Sequence, residues 1–244
     1  MKQHIEHIMG MPINITTVHD NQAAVKEAFE YFRAIDNQYS TYKPDSEISK
    51  INNGLPKDAW SESMKLIFDL CEQTKEQTNG YFDIKRNGKI DPSGLVKGWS
   101  IKKAADLLLS KGVKDFYIEA GGDIQSYGLN HKKQAWRFGI RNPFNRNENV
   151  KIISAPGYGI ATSGTYIRGQ HIYNPFKPAQ SITDIVSLTV IGPDIYGADR
   201  FATAAFAMGR EGIRFIDGLA GFEGYLIDSD GIATSSQGFK EYVI

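Results

Sequence analysis

The chain of 244 residues has a single cysteine, Cys71, which excludes an intramolecular disulfide and any metal site built from several thiolates. It has no excess of either charge. Its 28 basic residues meet 28 acidic ones, so bulk electrostatics give no case for nucleic acid or a membrane surface as a partner. No window approaches ~18 uninterrupted apolar residues, so no transmembrane segment is expected. The opening "MKQHIEHIMG" also lacks the apolar centre of a secretion signal. As it stands the sequence reads as cytoplasmic; an exported or lipoprotein form with its leader trimmed would read the same. Repeats, low-complexity tracts and Pro/Ser linkers are missing too, which points to one compact domain over residues 1–244. Neither G-x-x-x-x-G-K-[ST] nor G-x-G-x-x-G occurs, so the two commonest glycine-rich nucleotide signatures are excluded.

What is present divides by texture. "PINITTV" alternates like a strand, and "NQAAVKEAFEYFRAIDNQYS" places Val25, Phe29, Phe32 and Ile35 at helical spacing. A second helix is predicted in "SESMKLIFDLCEQTKEQTNG", with Met64, Ile67, Phe68 and Cys71 on one side and Gly80 as its stop. Cys71 falls in that apolar stripe and reads as a small buried hydrophobe. A third helix runs through "KGWSIKKAADLLLSKGV". From Lys114 onward strands dominate: "DFYIEAGGDI", "AWRFGIRNP", "KIISAPGYGIATSG", "IVSLTVIG" and "GYLIDSDG". Helices are expected to interrupt them at "GADRFATAAFAMG" and "EGIRFIDGL". Helices early and strands late make an α+β fold, with antiparallel strands packed against helices.

Several stretches could carry chemistry. "EAGGDI" reads first as a hairpin turn, because paired glycines before Asp are turn chemistry. "ATSGTY" is a hydroxyl-rich corner. In "KIDPSGLVKGWSI" a Pro-Ser-Gly turn feeds a helix, with Asp91 before it and Lys97 in the opening turns, a combination suited to phosphate. His171, in "GQHIYNP", suits a general base at a strand end and equally a structural histidine. In "GADRFATAAFAMG" Asp199 stands in the expected first helical turn, and Thr203 lies four residues on, on the same face. The pair reads either as a helix-start carboxylate with a back-bonded threonine, or as two hard oxygen ligands for a cation such as Mg2+.

Taken in order, "IMGMP", "YSTYKPDSEISKIN", "GYFDI", "IDPSGLVKGWSI", "EAGGDIQSYG", "WRFGIRNP", "IATSGTY", "HIYNP" and "VSLTVIGPDIYGADRFATAAFAMG" resemble the ApbE-like family of FAD:protein FMN transferases over nearly the whole chain. The resemblance implies Mg2+-dependent cleavage of the FAD pyrophosphate. FMN passes to a Thr or Ser hydroxyl of a partner flavoprotein, and AMP leaves. It implies cation ligands at Asp199, Thr203 and the backbone oxygen of Gly94. FAD contacts are implied at Met9, Tyr42, Tyr81, Phe82, Asp83, Asp91, Lys97 and Tyr173, and a base toward the acceptor at His171. Lys97 and the cation are expected to offset the pyrophosphate charge. The chain departs from the family's commoner pattern at Glu119, Ala202 and Tyr173, and carries only "KRNGK" where many relatives have a long insertion after Ile84. An FAD pyrophosphatase and a non-catalytic flavin carrier are the rival functions.

Overall fold

The computed structural model describes residues 1–145, 147–165 and 172–244. Apolar spacing becomes helix where the sequence reading places it. In chain order the first elements are β1 (Lys2–Ile8), β2 (Met11–Thr17), α1 (Gln22–Tyr39), α2 (Glu47–Asn52) and α3 (Glu62–Gln77). A small hairpin follows, β3 (Lys85–Arg86) and β4 (Lys89–Ile90), and then α4 (Ser93–Ser110). The strand-rich half contains β5 (Phe116–Ala120), β6 (Asp123–Tyr127), β7 (Phe138–Arg141), β8 (Asn149–Ile153), β9 (Gly159–Gly164) and β10 (Ile185–Gly192). It closes with α5 (Ile195–Ala207), α6 (Gly212–Asp217), β11 (Glu223–Asp228) and β12 (Ala233–Ser235).

Eight strands form one sheet in the order β1-β2-β5-β6-β9-β10-β11-β12, and every neighbouring pair in it is antiparallel. The fold is therefore α+β, as expected. Helices α1, α4 and α5 cover one face, where Phe29, Phe32, Leu108, Ile195 and Phe206 pack with Ile13, Ile15, Ile118, Leu188 and Val190 of the strands. A second cluster lies between α1, α2, α3 and the start of α4, around Ile48, Met64, Ile67, Cys71, Phe82 and Leu95. A third, with Ile124, Ile140, Ile153, Tyr225, Ile227 and Phe239, lies under the β7–β8 hairpin. Among the described residues no helix is long and apolar enough to cross a membrane.

Two expectations about helix starts need correction. α4 begins at Ser93, so Ser93 and Gly94 belong to its first turn and do not form a separate turn before it. α5 begins at Ile195, capped by Asp194, whose carboxylate accepts from the Gly197 N–H at 2.8 Å. Asp199 is thus in the second turn, where the orphan amides of a helix start no longer reach it.

Candidate active site

The cavity that matters lies where the two helical clusters meet the sheet. It has a volume of about 880 Å3, within the range of small-molecule and cofactor sites. The β1–β2 turn, the end of α1, residues 81–91, the first turns of α4, β9, residues 172–175 and α5 all line it. Met9, Tyr42, Tyr81, Phe82, Asp83, Asp91, Gly94, Lys97, Tyr173 and Thr203 all face this one cavity. Residues from six separate stretches of sequence are thereby brought together. Asp199 is not among the lining residues: it is buried behind Lys97. His171 lies outside the described residues.

At the polar end the central group is Lys97. Its Nζ sits 2.5 Å from Asp123 Oδ2 and 3.1 Å from Asp199 Oδ1. Both carboxylates are buried, at 0% and 2% exposure, so they cannot be neutralised by water. Burial first, and then Asp123, push the Asp199 carboxyl above the usual carboxylate range, while Lys97 pulls it back. Burial works against the Lys97 ammonium, but the two carboxylates override it and hold its pKa above the ordinary lysine value. Lys97 is therefore already committed to Asp123 and Asp199. The expectation that its charge is free to offset a pyrophosphate is corrected to that extent.

Asp199 also organises the backbone. Its Oδ2 accepts from the Gly98 N–H at 2.8 Å, across 101 positions of sequence. In an α-helix that N–H points at the carbonyl of Gly94, so the Asp199 carboxylate reaches α4 at the level of the Gly94 oxygen. Only glycine permits the approach, because a Cβ on Gly98 would lie 2.6 Å from Asp199 Cβ and 2.7 Å from the Ile195 carbonyl. One turn along α5, Thr203 reaches the cavity beside Gly94. Its hydroxyl makes no hydrogen bond among the described residues, so the back-bonded reading of Thr203 does not hold.

The apolar end is built from Met9, Tyr42, Tyr81 and Phe82. Met9 and Gly10 form the two-residue β1–β2 turn with φ of 57° and 71°. A turn of this kind asks for positive φ at both positions, and a methionine there is uncommon. Tyr42 stands almost fully exposed at the rim, while Phe82 is buried. Asp83 lines the wall but its carboxylate is bound by Lys75 at 2.7 Å. The Tyr173 hydroxyl lies 2.9 Å from the Asp83 carbonyl and 3.0 Å from that of Lys85, fastening residues 172–175 to the β3–β4 hairpin.

Asp123 is the residue of this polar cluster that sequence reasoning passed over. "EAGGDI" does form the expected hairpin, with Gly121 and Gly122 as its turn and Ala120 paired with Asp123. The same turn leaves Asp123 at the head of β6, its Oδ1 accepting from the Thr162 N–H at 3.0 Å and its Oδ2 on Lys97. No local signal marked it, because the burial of Asp123 through Ser126 in β6 comes from tertiary packing.

The ApbE family profile matches residues 9–88 and 84–226. The chain is 28% identical to the FAD:protein FMN transferase of Vibrio cholerae, over 96% of this chain and 88% of that protein. It is 30% identical to the FAD:protein FMN transferase of Klebsiella pneumoniae, over 63% of this chain and only 45% of the relative's length. The solved flavin transferase ApbE from Vibrio cholerae superposes with a TM-score of 0.86 at 23% identity, covering 99% of this chain and 98% of that one, which establishes the shared fold. With most of its length matched and its fold reproduced, the chain belongs to the ApbE family.

Proposed function

We propose that this protein transfers FMN from FAD to a Thr or Ser hydroxyl of a partner flavoprotein, with AMP as the leaving group. One observation carries the reading: a single cavity joins a wall of Met9, Tyr42 and Tyr81 to a polar end built on Lys97, Gly94 and Thr203. A flat isoalloxazine ring asks for the first and a diphosphate for the second. Family membership and the names of the relatives point the same way.

The donor set fits a hard cation. Asp123 and Asp199 bring two carboxyl groups to one ammonium, and Thr203 offers an unengaged hydroxyl on the cavity. Among the described residues no three or more His, Cys, Asp or Glu side chains gather as a ready metal cluster. Mg2+ keeps few protein ligands and completes its shell with phosphate and water. Asp199, Thr203 and the Gly94 carbonyl would hold it, with Asp123 supplying further negative charge. When bound it would offset charge on the transferring phosphoryl group.

In the reaction the acceptor oxygen forms a bond to the FMN phosphorus, and the bond from that phosphorus to the bridging oxygen breaks. The bridging oxygen leaves with AMP, and the hydroxyl proton goes to a base, for which His171 is our candidate. The protein's task is to position both ends of FAD and to fix the charges at the polar end. Lys97 orients Asp123 and Asp199, and Gly98 lets α4 and α5 approach closely enough to do so.

The test is incubation with FAD and Mg2+, with and without a flavoprotein acceptor, following AMP and the acceptor's mass. AMP together with an FMN-sized mass gain on the acceptor supports transfer. AMP at the same rate without acceptor indicates a pyrophosphatase, and no AMP in either arm indicates a carrier. His171→Ala should keep FAD affinity within severalfold while transfer falls by ~10²–10⁴-fold. Transfer at the wild-type rate would place the base elsewhere.

A further inference from the structure

Most charges around the cavity already have partners. Lys43 is bound to Asp36 and to Asn37 at 2.8 Å, Lys97 to Asp123 and Asp199, and Asp83 to Lys75. Among the described residues lining the cavity, Arg86 is the cation with no carboxylate or other hydrogen-bonding partner. It ends β3, opposite Lys89 of β4, next to a tight turn in which Asn87 and Gly88 both have positive φ. A two-residue turn of that kind fixes the hairpin register, and with it the direction Arg86 takes.

The guanidinium is also held. Its central carbon sits 4.6 Å from the centre of the Tyr173 ring. Tyr173 is itself tied through its hydroxyl to the carbonyls of Asp83 and of Lys85, the residue before Arg86 on β3. Stacking occupies the flat face of a guanidinium and leaves its in-plane N–H donors unused, the fork that matches two phosphate oxygens. At the polar end the one ammonium, Lys97, is shared between two buried carboxylates, which leaves the charge of an entering diphosphate largely uncompensated. A positioned, unpaired arginine in the same cavity offsets it.

We propose that Arg86, braced by Tyr173, binds a phosphate of the dinucleotide donor and so selects FAD over phosphate-free flavin. This deepens the transferase reading and rests on it for the identity of the donor. The short "KRNGK" hairpin is then a binding element as well as a connection.

The test titrates the full chain with FAD, ADP and riboflavin in Mg2+, comparing wild type with Arg86→Gln, Arg86→Lys and Tyr173→Leu. Circular dichroism checks that each variant folds; Arg86 is exposed on a two-residue strand, so its substitutions should be structurally mild. Arg86→Gln should weaken FAD and ADP by about tenfold or more, the usual size of a lost charge-assisted hydrogen bond, and leave riboflavin within about twofold. Arg86→Lys should fall between, since it keeps the charge and loses the fork. Tyr173→Leu should weaken ADP in the wild-type background and have little further effect in Arg86→Gln, because the brace acts through Arg86. Unchanged FAD and ADP affinity in Arg86→Gln overturns the proposal. So does a defect confined to the KM for the protein acceptor, which would make Arg86 an acceptor contact. If wild type binds riboflavin as tightly as FAD, the transferase reading fails, and the ADP arm still decides whether Arg86 is a phosphate receptor.

Discussion

Lys97 shows how a single residue can be read correctly in kind and incompletely in role. Its place near the start of α4 suggests phosphate, yet its ammonium is closed between Asp123 and Asp199. Breaking a buried ion pair from one side costs about 3–5 kcal/mol, because the partner is left charged and dry. Lys97→Met, which strands two carboxylates, is therefore expected to destabilise the metal-free protein by about that much in urea denaturation. Asp199→Asn should cost less, since Lys97 keeps Asp123. If Asp199→Asn proves the more destabilising, Lys97 is not the group holding the cluster together. Asp123 escaped notice because the local signal of two glycines before an aspartate is fully accounted for by a turn, and only tertiary structure brings it to a lysine 26 positions earlier. Cys71, by contrast, was legible from helical spacing alone. Burial, with Glu72 adding to it, pushes its thiol up to about 12. The folded thiol thus stays protonated where the unfolded one ionises, so its contribution to stability is complete below ~8.5 and is lost as pH rises above that value. Thiol labelling at pH 8 should be slow in the native protein and fast in urea; fast native labelling would contradict the burial of α3's inner face.

At the scale of elements, long amphipathic stretches declared themselves and short ones did not. α1 and α3 bury the residues their spacing selects, Val25, Phe29, Phe32 and Ile35 in the one and Met64, Ile67 and Cys71 in the other. α2, with six residues, is too short to show a period, although Ser46 caps it by accepting from the Ser49 N–H. β1 is an edge strand with mostly exposed side chains and so lacks the apolar alternation that marks a half-buried strand. The contact between α4 and α5 was not legible at all, since a glycine inside a helical pattern reads as a weakness. Here Gly98 is where the helices touch. Gly98→Ala raises helix propensity by ~1 kcal/mol, yet its Cβ would meet Asp199 Cβ at 2.6 Å and the Ile195 carbonyl at 2.7 Å. It is expected to destabilise by about 1–3 kcal/mol net and to reduce AMP release, as overpacking of a rigid contact does. Gly94→Ala is the control: its Cβ would meet Phe82 Cε2 and Thr203 Cγ2 at 3.4 Å, ordinary contact. It should leave the melting temperature nearly unchanged. Equal effects of the two substitutions would mean that the α4–α5 approach is not the controlling feature.

For the whole molecule, the cavity sits between the cluster that α1, α4 and α5 share with the sheet and the one built on α2 and α3. Met9 belongs to the edge of both clusters, and α4 runs from one into the other. A ligand filling that space bridges the two, so binding should report as stability. A ligand at a hundred times its Kd adds about 2.7 kcal/mol to the native state. The charge arrangement makes a sharper demand on how two ligands combine. Without a cation, the Lys97 ammonium is taken up by Asp123 and Asp199 and leaves the diphosphate charge poorly compensated; Mg2+ at Asp199, Thr203 and the Gly94 carbonyl would supply the missing positive charge. By linkage, each ligand must then tighten the other by the same factor, typically 1–3 kcal/mol of coupling. Thermal melts in EDTA, Mg2+, FAD with EDTA, and FAD with Mg2+ should therefore give a combined shift larger than the sum of the separate ones. Riboflavin, lacking phosphate, should show no such excess with Mg2+. If FAD shifts the melt equally in EDTA and in Mg2+, the cation does not lie between the carboxylates and the diphosphate. Its proposed ligands at Asp199, Thr203 and Gly94 would then have to be given up, while the shape of the cavity would still argue for a flavin nucleotide.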